Sequence, residues 1–248
     1  MRCSSTGNTI IPTTRKTKMP PKRNYYQESL KEIASLPKGK KPTFLLHVCC
    51  GPCATFPLLF LCPHFDLTLY YDNSNIFPEE EFYRRRGELE KLLDAYRSDY
   101  GFEIHLIKPP YDHSLYMKDL RAYAQEKEGG KRCLLCYRKR MEEAFDYADS
   151  HGFDYFATVM SISRQKDSEA LNRIGEQLEK SHVHTKYFYS DFKKSNGQLY
   201  SQNLRKHYAL YNQLYCGCEY SLEEGKRRLI QEGKDPESIL PKNQKTKE

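Results

Sequence analysis

The sequence predicts a Rossmann-like α/β fold, a parallel sheet flanked by helices. Two observations carry that reading. Short apolar runs of strand length recur through the middle of the chain, and each is followed by a stretch with helical signals. The first run covers residues 43–48 (TFLLHV) and leads into a short helical candidate at 54–61. The second, 67–71 (LTLYY), precedes a long candidate at 78–100. Pro78 lies near its first turn, Glu79 to Glu81 at its positive end, and Leu89, Leu92, Leu93 and Tyr96 share one face. A third run at 102–107 (FEIHLI) is followed by helix signals at 112–126 and 133–151. A fourth at 155–159 (YFATV) is followed by 167–180, and a Tyr-rich helical stretch spans 204–215. His182 and His184 alternate in a strand-like segment with no carboxylate or third ligand beside them. In a parallel sheet of this kind ligands bind beyond the carboxyl ends of the strands, so the site is expected there.

Composition narrows the function classes. No apolar stretch of the 248 residues approaches the roughly 20 that a membrane span needs, and mean hydropathy is −0.82. No membrane association is expected. Forty basic against 33 acidic residues give a net charge of +7, compatible with a polyanionic partner. Residues 1–24 are basic, rich in threonine and proline, and read as a disordered tail. Pro12, Pro20 and Pro21 spoil the amphipathic helix of a transit peptide. Residues 241–248 read as a second disordered tail, leaving 25–240 as the folded domain. Residues 1–22 hold no apolar core of signal-peptide length, so the nine cysteines point to thiolate chemistry in a reducing, cytoplasmic setting.

The cysteines fall into motifs. The first strand runs directly into Cys49-Cys50-Gly51-Pro52-Cys53, three thiols on the turn that opens the next helix, where the helix terminus favours thiolate. Cys133-Leu134-Leu135-Cys136 opens a helix that also carries Arg138, Lys139 and Arg140. This spacing chelates a metal or forms a redox pair, and with Cys49 and Cys50 it offers four thiolates for zinc or an iron–sulfur cluster. Cys216-Gly217-Cys218 forms only a very small disulfide ring, which is easily reduced and stores two electrons; two more ligands or two inert thiols are the other readings. Cys3 and Cys62 have no partners nearby. Asp72, Asn73 and Asn75 follow the second strand at the same edge, as substrate or metal contacts or as turn formers and caps. Arg84, Arg85 and Arg86 form a basic run suited to phosphates, and His47 reads as a satisfied core histidine. No P-loop and no G-x-G-x-x-G is present.

Taken in order, these motifs resemble the QueH family of epoxyqueuosine reductases, cluster-containing enzymes unrelated in sequence to the cobalamin-dependent ones. The resemblance rests on His47-Val48-Cys49-Cys50-Gly51-Pro52-Cys53, Tyr71-Asp72-Asn73-Ser74-Asn75-Ile76 with Pro78, Glu81 and Arg85, and Gly130-Lys131-Arg132-Cys133-Leu134-Leu135-Cys136. It continues through Phe153-Asp154, Asp191-Phe192-Lys193-Lys194 and Gln213 to Cys218. Ser74 stands where proline is usual and Asn212 where arginine is usual.

The resemblance implies Cys49, Cys50, Cys133 and Cys136 around a [4Fe-4S] cluster. It further implies a redox-active disulfide between Cys216 and Cys218, and an additional mononuclear metal ion for which Cys53 is the candidate ligand. Asp72 and a cysteine thiol are the candidate proton donors, and Asn73, Asn75, Arg85 and Arg132 are candidate substrate contacts. The implied reaction is two-electron removal of the epoxide oxygen of epoxyqueuosine in the tRNA anticodon loop, reset by an external electron donor. Because ligands and dithiol span Cys49 to Cys218, a single domain is expected. A cluster-dependent tRNA-thiolating enzyme would instead carry a Gly/Ser-rich ATP loop after the first strand. A zinc-stabilised RNA-binding module would have no use for Cys216-Gly217-Cys218.

Overall fold

The computed structural model describes residues 23–240. Among these, five parallel strands, β1 (Thr43–His47), β2 (Asp66–Tyr70), β3 (His105–Ile107), β4 (Tyr155–Thr158) and β5 (Lys186–Tyr187), pair in the order β3-β2-β1-β4-β5. Register is set by continuous apolar pairing: Leu46 lies opposite Leu69 on one side and Ala157 on the other. The chain winds outward from β1 to β3, then returns to place β4 on the other side of β1. That reversal opens a crevice at the carboxyl ends of β1 and β4, the position where such sheets bind ligands.

Helices cover both faces, which is why β1 reads as an unbroken apolar run rather than an alternating one. Phe44 and Leu46 face one layer, packed with Leu58 and Leu61 of α2 (Gly51–Leu61) and Leu89 and Leu92 of α3 (Glu79–Tyr100). Leu45 faces the other, with Met141 and Phe145 of α5 (Lys131–Ser150) and Leu171 of α6 (Ser168–Glu179). α2 and α3 approach so closely that a Cβ on Gly51 would stand 2.5 Å from the Glu88 carbonyl oxygen. Only glycine allows this turn to carry cysteines on both sides while lying against α3. No described helix is long and apolar enough to cross a membrane.

The expected strands and main helices are found with small shifts at their ends. The 112–126 helix is not continuous: α4 (His113–Met117) is followed by a 3-10 turn at Arg121–Tyr123. The Arg132 guanidinium takes up the carbonyls of Tyr123, Ala124 and Glu126, so that stretch satisfies its backbone without a longer helix. The Tyr-rich stretch also breaks. α7 (Gly197–His207) ends before Ala209, which adopts a positive φ of 48°. The chain then runs without regular structure to the start of α8 (Glu219–Gln231), its Tyr211 N–H donating to Glu88 at 2.8 Å. The His182 to His184 segment is not a strand; β5 begins at Lys186, after backbone N–H groups of residues 183–185 have bonded to Asp149. α1 (Tyr25–Ala34), capped by Asn24, was not expected from the sequence. The expected tails, and Cys3 with them, lie outside the described residues except for Arg23 and Asn24.

Candidate active site

β1 ends at His47, whose ring is fully buried. Its Nε2 lies 3.2 Å from the Asp72 carbonyl and its Nδ1 2.9 Å from the Thr158 hydroxyl. A carbonyl only accepts, so Nε2 carries the proton and Nδ1 accepts from Thr158. Burial, followed by the Arg140 charge, pushes this histidine down to about 3, so it is a neutral tie across the ends of β1, β2 and β4. The core reading of His47 holds.

Two residues on, Cys49, Cys50 and Cys53 bring their three sulfurs within 4.8 Å of one another. Cys50 is the N-cap of α2 and its sulfur is 3.9 Å from that of Cys49. The trio shares charge unequally. Hydrogen bonds from Cys50 and Cys53, aided by Arg140 and Lys166, hold Cys49 well below the usual thiol range. Cys50 is pushed up to about 12 by burial and its neighbours, and Cys53 is raised by Cys49 and Cys50. Three thiols this close ionise together only when a cation joins them. Gln213 closes this side, its Nε2 donating to the Cys50 sulfur at 2.9 Å.

Cys133 and Cys136 sit in the first two turns of α5, on one face by their i, i+3 spacing. The Gly129 N–H donates to Cys133 at 3.3 Å and the Tyr116 hydroxyl to Cys136 at 3.3 Å. Arg140, one turn further, interacts electrostatically with both Cys136 and Cys49, so one buried guanidinium links the two motifs. Among the described residues, the set whose donor atoms meet within 4.8 Å is Cys49, Cys50 and Cys53; Cys133 and Cys136 stand apart from it. Cys216 interacts electrostatically with Cys133, Cys136 and Arg140, and the Lys166 ammonium lies 3.6 Å from its sulfur. Burial opposes the charge on Lys166, but Cys216 and then Cys49 outweigh it and hold the lysine above its usual range.

Cys216 and Cys218 are free thiols. Cys218 is the N-cap of α8, its sulfur accepting from the Ser221 N–H at 3.4 Å, while burial pushes its thiol up to about 11. Gly217 between them has φ 134°, a conformation that disfavours a side chain, and its carbonyl accepts from Phe77 N–H at 2.8 Å. Arg85 fixes this loop. It is almost fully buried, reaches the Glu81 carboxylate at 2.7 Å, and donates to the carbonyls of Cys216 and Tyr215 at 2.9 and 3.2 Å. A polar cleft of about 790 Å³, lined by Arg132, Gln165, Cys216 and Tyr220, opens onto Cys216. A smaller recess of about 260 Å³ reaches Cys53 past Ser201 and Gln213.

A protein-family model described as "Epoxyqueuosine reductase QueH" matches residues 44–224. The chain belongs to the QueH family. Proteins named epoxyqueuosine reductase QueH from Streptococcus pyogenes and Staphylococcus aureus are 34% and 35% identical to it, over 87% and 73% of this chain and 85% and 76% of theirs. The Thermotoga maritima protein of that name is 30% identical over 75% of this chain and 93% of its own.

Several of the sequence-chosen polar residues are held by partners inside this QueH chain. Asn73 donates to the Val48 carbonyl at 2.8 Å and accepts from Arg140. Arg85 and Arg132 spend their guanidinium groups on Glu81 and on loop carbonyls. Asn75 is 2% exposed with Oδ1 lacking a protein partner, and its amide nitrogen lies about where a side chain on Gly217 would reach, 3.5 Å away. Asp72 is 5% exposed and its Oδ2 likewise lacks a protein partner. Lys166 and Tyr116 were not singled out from the sequence; Arg140 was legible as the residue four after Cys136, which puts it on the same helix face.

Proposed function

We propose that this chain performs the two-electron reductive deoxygenation of epoxyqueuosine in the tRNA anticodon loop, giving queuosine and water, in a reducing cytoplasm. The observation that supports the proposal is the meeting of the Cys49, Cys50 and Cys53 sulfurs just past β1, with the buried Arg140 and the partly buried Lys166 interacting electrostatically with Cys49 and Cys216 and Arg140 also with Cys136. Thiolate donors with Arg140 and Lys166 nearby suit an anionic iron–sulfur centre, because the cations offset the charge that the sulfurs bring into a buried site. Cys49, Cys50, Cys133 and Cys136 would hold a [4Fe-4S] cluster, and Cys53 an additional metal ion. Such a centre supplies single-electron transfer and a Lewis-acidic position for the epoxide oxygen.

The remaining work falls to the protein. Cys216 and Cys218 pass from dithiol to disulfide, giving up two electrons and two protons, which is what the epoxide needs to become an alkene and water. An external donor, a dithiol by class, reduces the pair again. The Lys166 ammonium lies 3.6 Å from the Cys216 sulfur, while Arg85 and Gly217 hold the loop so that Cys216 borders the cleft. Arg132 fixes the 123–126 wall, and Asn73 and Asn75, buried past the end of β2, would contact substrate, with Asp72 handling protons. Arg227 and Arg228, also on the cleft, would meet tRNA phosphates, with Tyr220 as a stacking surface for a splayed base. The test is a pair of variants. Cys49→Ser should lose iron, whereas Cys216→Ser should keep iron and sulfide but fail to turn over with a dithiol donor. Multiple turnovers by Cys216→Ser would remove the dithiol from the mechanism.

A further inference from the structure

The mechanism above makes no use of the recess beside Cys53. At about 260 Å³ it is smaller than the roughly 300–1,000 Å³ pockets that take drug-sized ligands, so it suits one small ring rather than a whole nucleoside. Gln198, Ser201 and Gln202 of α7, together with Gln213, line it with uncharged amide and hydroxyl groups. Arg164 and Arg205 are the charged residues of its lining and no carboxylate is among them, so nothing there suits a cationic group. α7 is seated on α2 through Tyr200, whose ring stacks on Phe56 at 5.9 Å. Ser201 and Cys53 are therefore held on one frame. Gln165 lines both this recess and the larger cleft at Cys216, so the two adjoin.

Two buried polar atoms of this lining lack a protein partner. Ser201 is 8% exposed, yet its hydroxyl makes no bond to the carbonyl four residues back, the usual outlet for a serine inside a helix. Gln213 donates through Nε2 to the Cys50 sulfur at 2.9 Å and lies 3.9 Å from that of Cys53, which leaves its Oε1 unpaired. Buried polar atoms are seldom left this way, and these two border the same small space. An amide oxygen only accepts, while a serine hydroxyl donates or accepts, so a ligand bearing hydroxyl groups satisfies both.

We infer that this recess binds the hydroxyl-bearing carbocycle of the substrate, with Ser201 and Gln213 as the residues that select it. The inference rests on the deoxygenation reading. Epoxyqueuosine carries its epoxide on a five-membered ring that also bears two hydroxyl groups. With the hydroxyls held by Ser201 and Gln213, the epoxide on the same ring lies beside Cys53, while the base stays in the adjoining cleft. Ser201 and Gln213 thus act on recognition of the ring.

Binding measured without turnover tests this. Queuosine keeps both ring hydroxyls and lacks only the epoxide oxygen, so queuosine-containing tRNA is the probe and the same tRNA with guanine at that position is the reference. With no dithiol present, iron-loaded wild-type protein should bind the queuosine form more tightly. Ser201→Ala should reduce that preference by about threefold to tenfold, the worth of one hydrogen bond, and leave affinity for the guanine form unchanged. Ser201→Leu, which fills the recess, should abolish the preference. Because the Ser201 hydroxyl has no protein partner to lose, Ser201→Ala should keep its iron and melt within about 2 °C of wild type. A wild type that binds both tRNAs equally, or a Ser201→Ala protein that keeps the full preference, would overturn the assignment. Equal weakening of both tRNAs in Ser201→Ala would put an RNA group common to both in the recess and overturn it too. Wild-type protein that tells the two tRNAs apart but converts no epoxyqueuosine would overturn the deoxygenation reading and uphold the ring's place in the recess.

Discussion

Replacing Arg85 with methionine should both destabilise the fold and release the Cys216 loop. The Arg85 side chain is 2% exposed and its Glu81 partner 0%, with 2.7 Å between them. Removing one member of a buried ion pair costs about 3–5 kcal/mol, because the other charge stays buried. Here Glu81 keeps Arg84 at 2.9 Å and the Tyr211 hydroxyl at 3.2 Å, which argues for the lower end, about 3 kcal/mol. The Tyr215 and Cys216 carbonyls then lose their donors, adding roughly 1 kcal/mol each. A total near 5 kcal/mol corresponds to a melting temperature lower by roughly 10–20 °C in a chain of this size. Arg85→Lys should lose less stability, since the charge stays but the three-way fork does not. Adding Glu81→Gln to Arg85→Met should recover part of the loss. Thermal unfolding checks the stability arm, and the rate at which a dithiol reduces the Cys216–Cys218 disulfide checks the loop. A melting temperature within about 2 °C of wild type, with an unchanged reduction rate, would refute the argument that Arg85 holds this loop from inside the core.

Three further outcomes follow from the same geometry. Gly217→Ala puts a side chain at φ 134°, 3.0 Å from an Arg85 nitrogen, and should cost more than about 1 kcal/mol in denaturant unfolding while lowering turnover. Cys62→Ser changes a buried thiol remote from the cleft, pushed up to about 12 by burial, so iron content and turnover should stay at wild-type levels. Gln213→Leu removes the amide donor to Cys50 and should weaken metal retention against a chelator, read as faster loss of colour, with little change in melting temperature.

The sheet was legible in the sequence because its strands are buried on both faces. That makes 43–48, 67–71 and 155–159 unbroken apolar runs that no exposed helix would carry. β5 was not legible: with two residues it has no period, and its place depends on the Asp149 bonds to residues 183–185. The breaks at 112–126 and 204–215 have a shared cause. In each a buried or partly buried charged side chain, Arg132 in one and Glu88 or Arg85 in the other, claims backbone groups that helical periodicity alone would assign to a helix. In the site, the cysteine motifs were legible because each is local in the sequence. The cations that make those thiols tolerable arrive from elsewhere in the chain. Lys166 lies in a loop with no pattern, its carbonyl and that of Ser161 held by Lys193.

The central claim is that the sulfur-lined edge removes one oxygen atom from a tRNA nucleoside. Its most direct test is anaerobic single turnover of the iron-loaded, dithiol-reduced protein with epoxyqueuosine-containing tRNA, followed by mass spectrometry of the released nucleosides. The account predicts a nucleoside lighter by one oxygen, formed together with a Cys216–Cys218 disulfide in the protein and dependent on iron. Unchanged epoxyqueuosine from protein that carries iron and sulfide, or full conversion by protein that carries zinc alone, would contradict it.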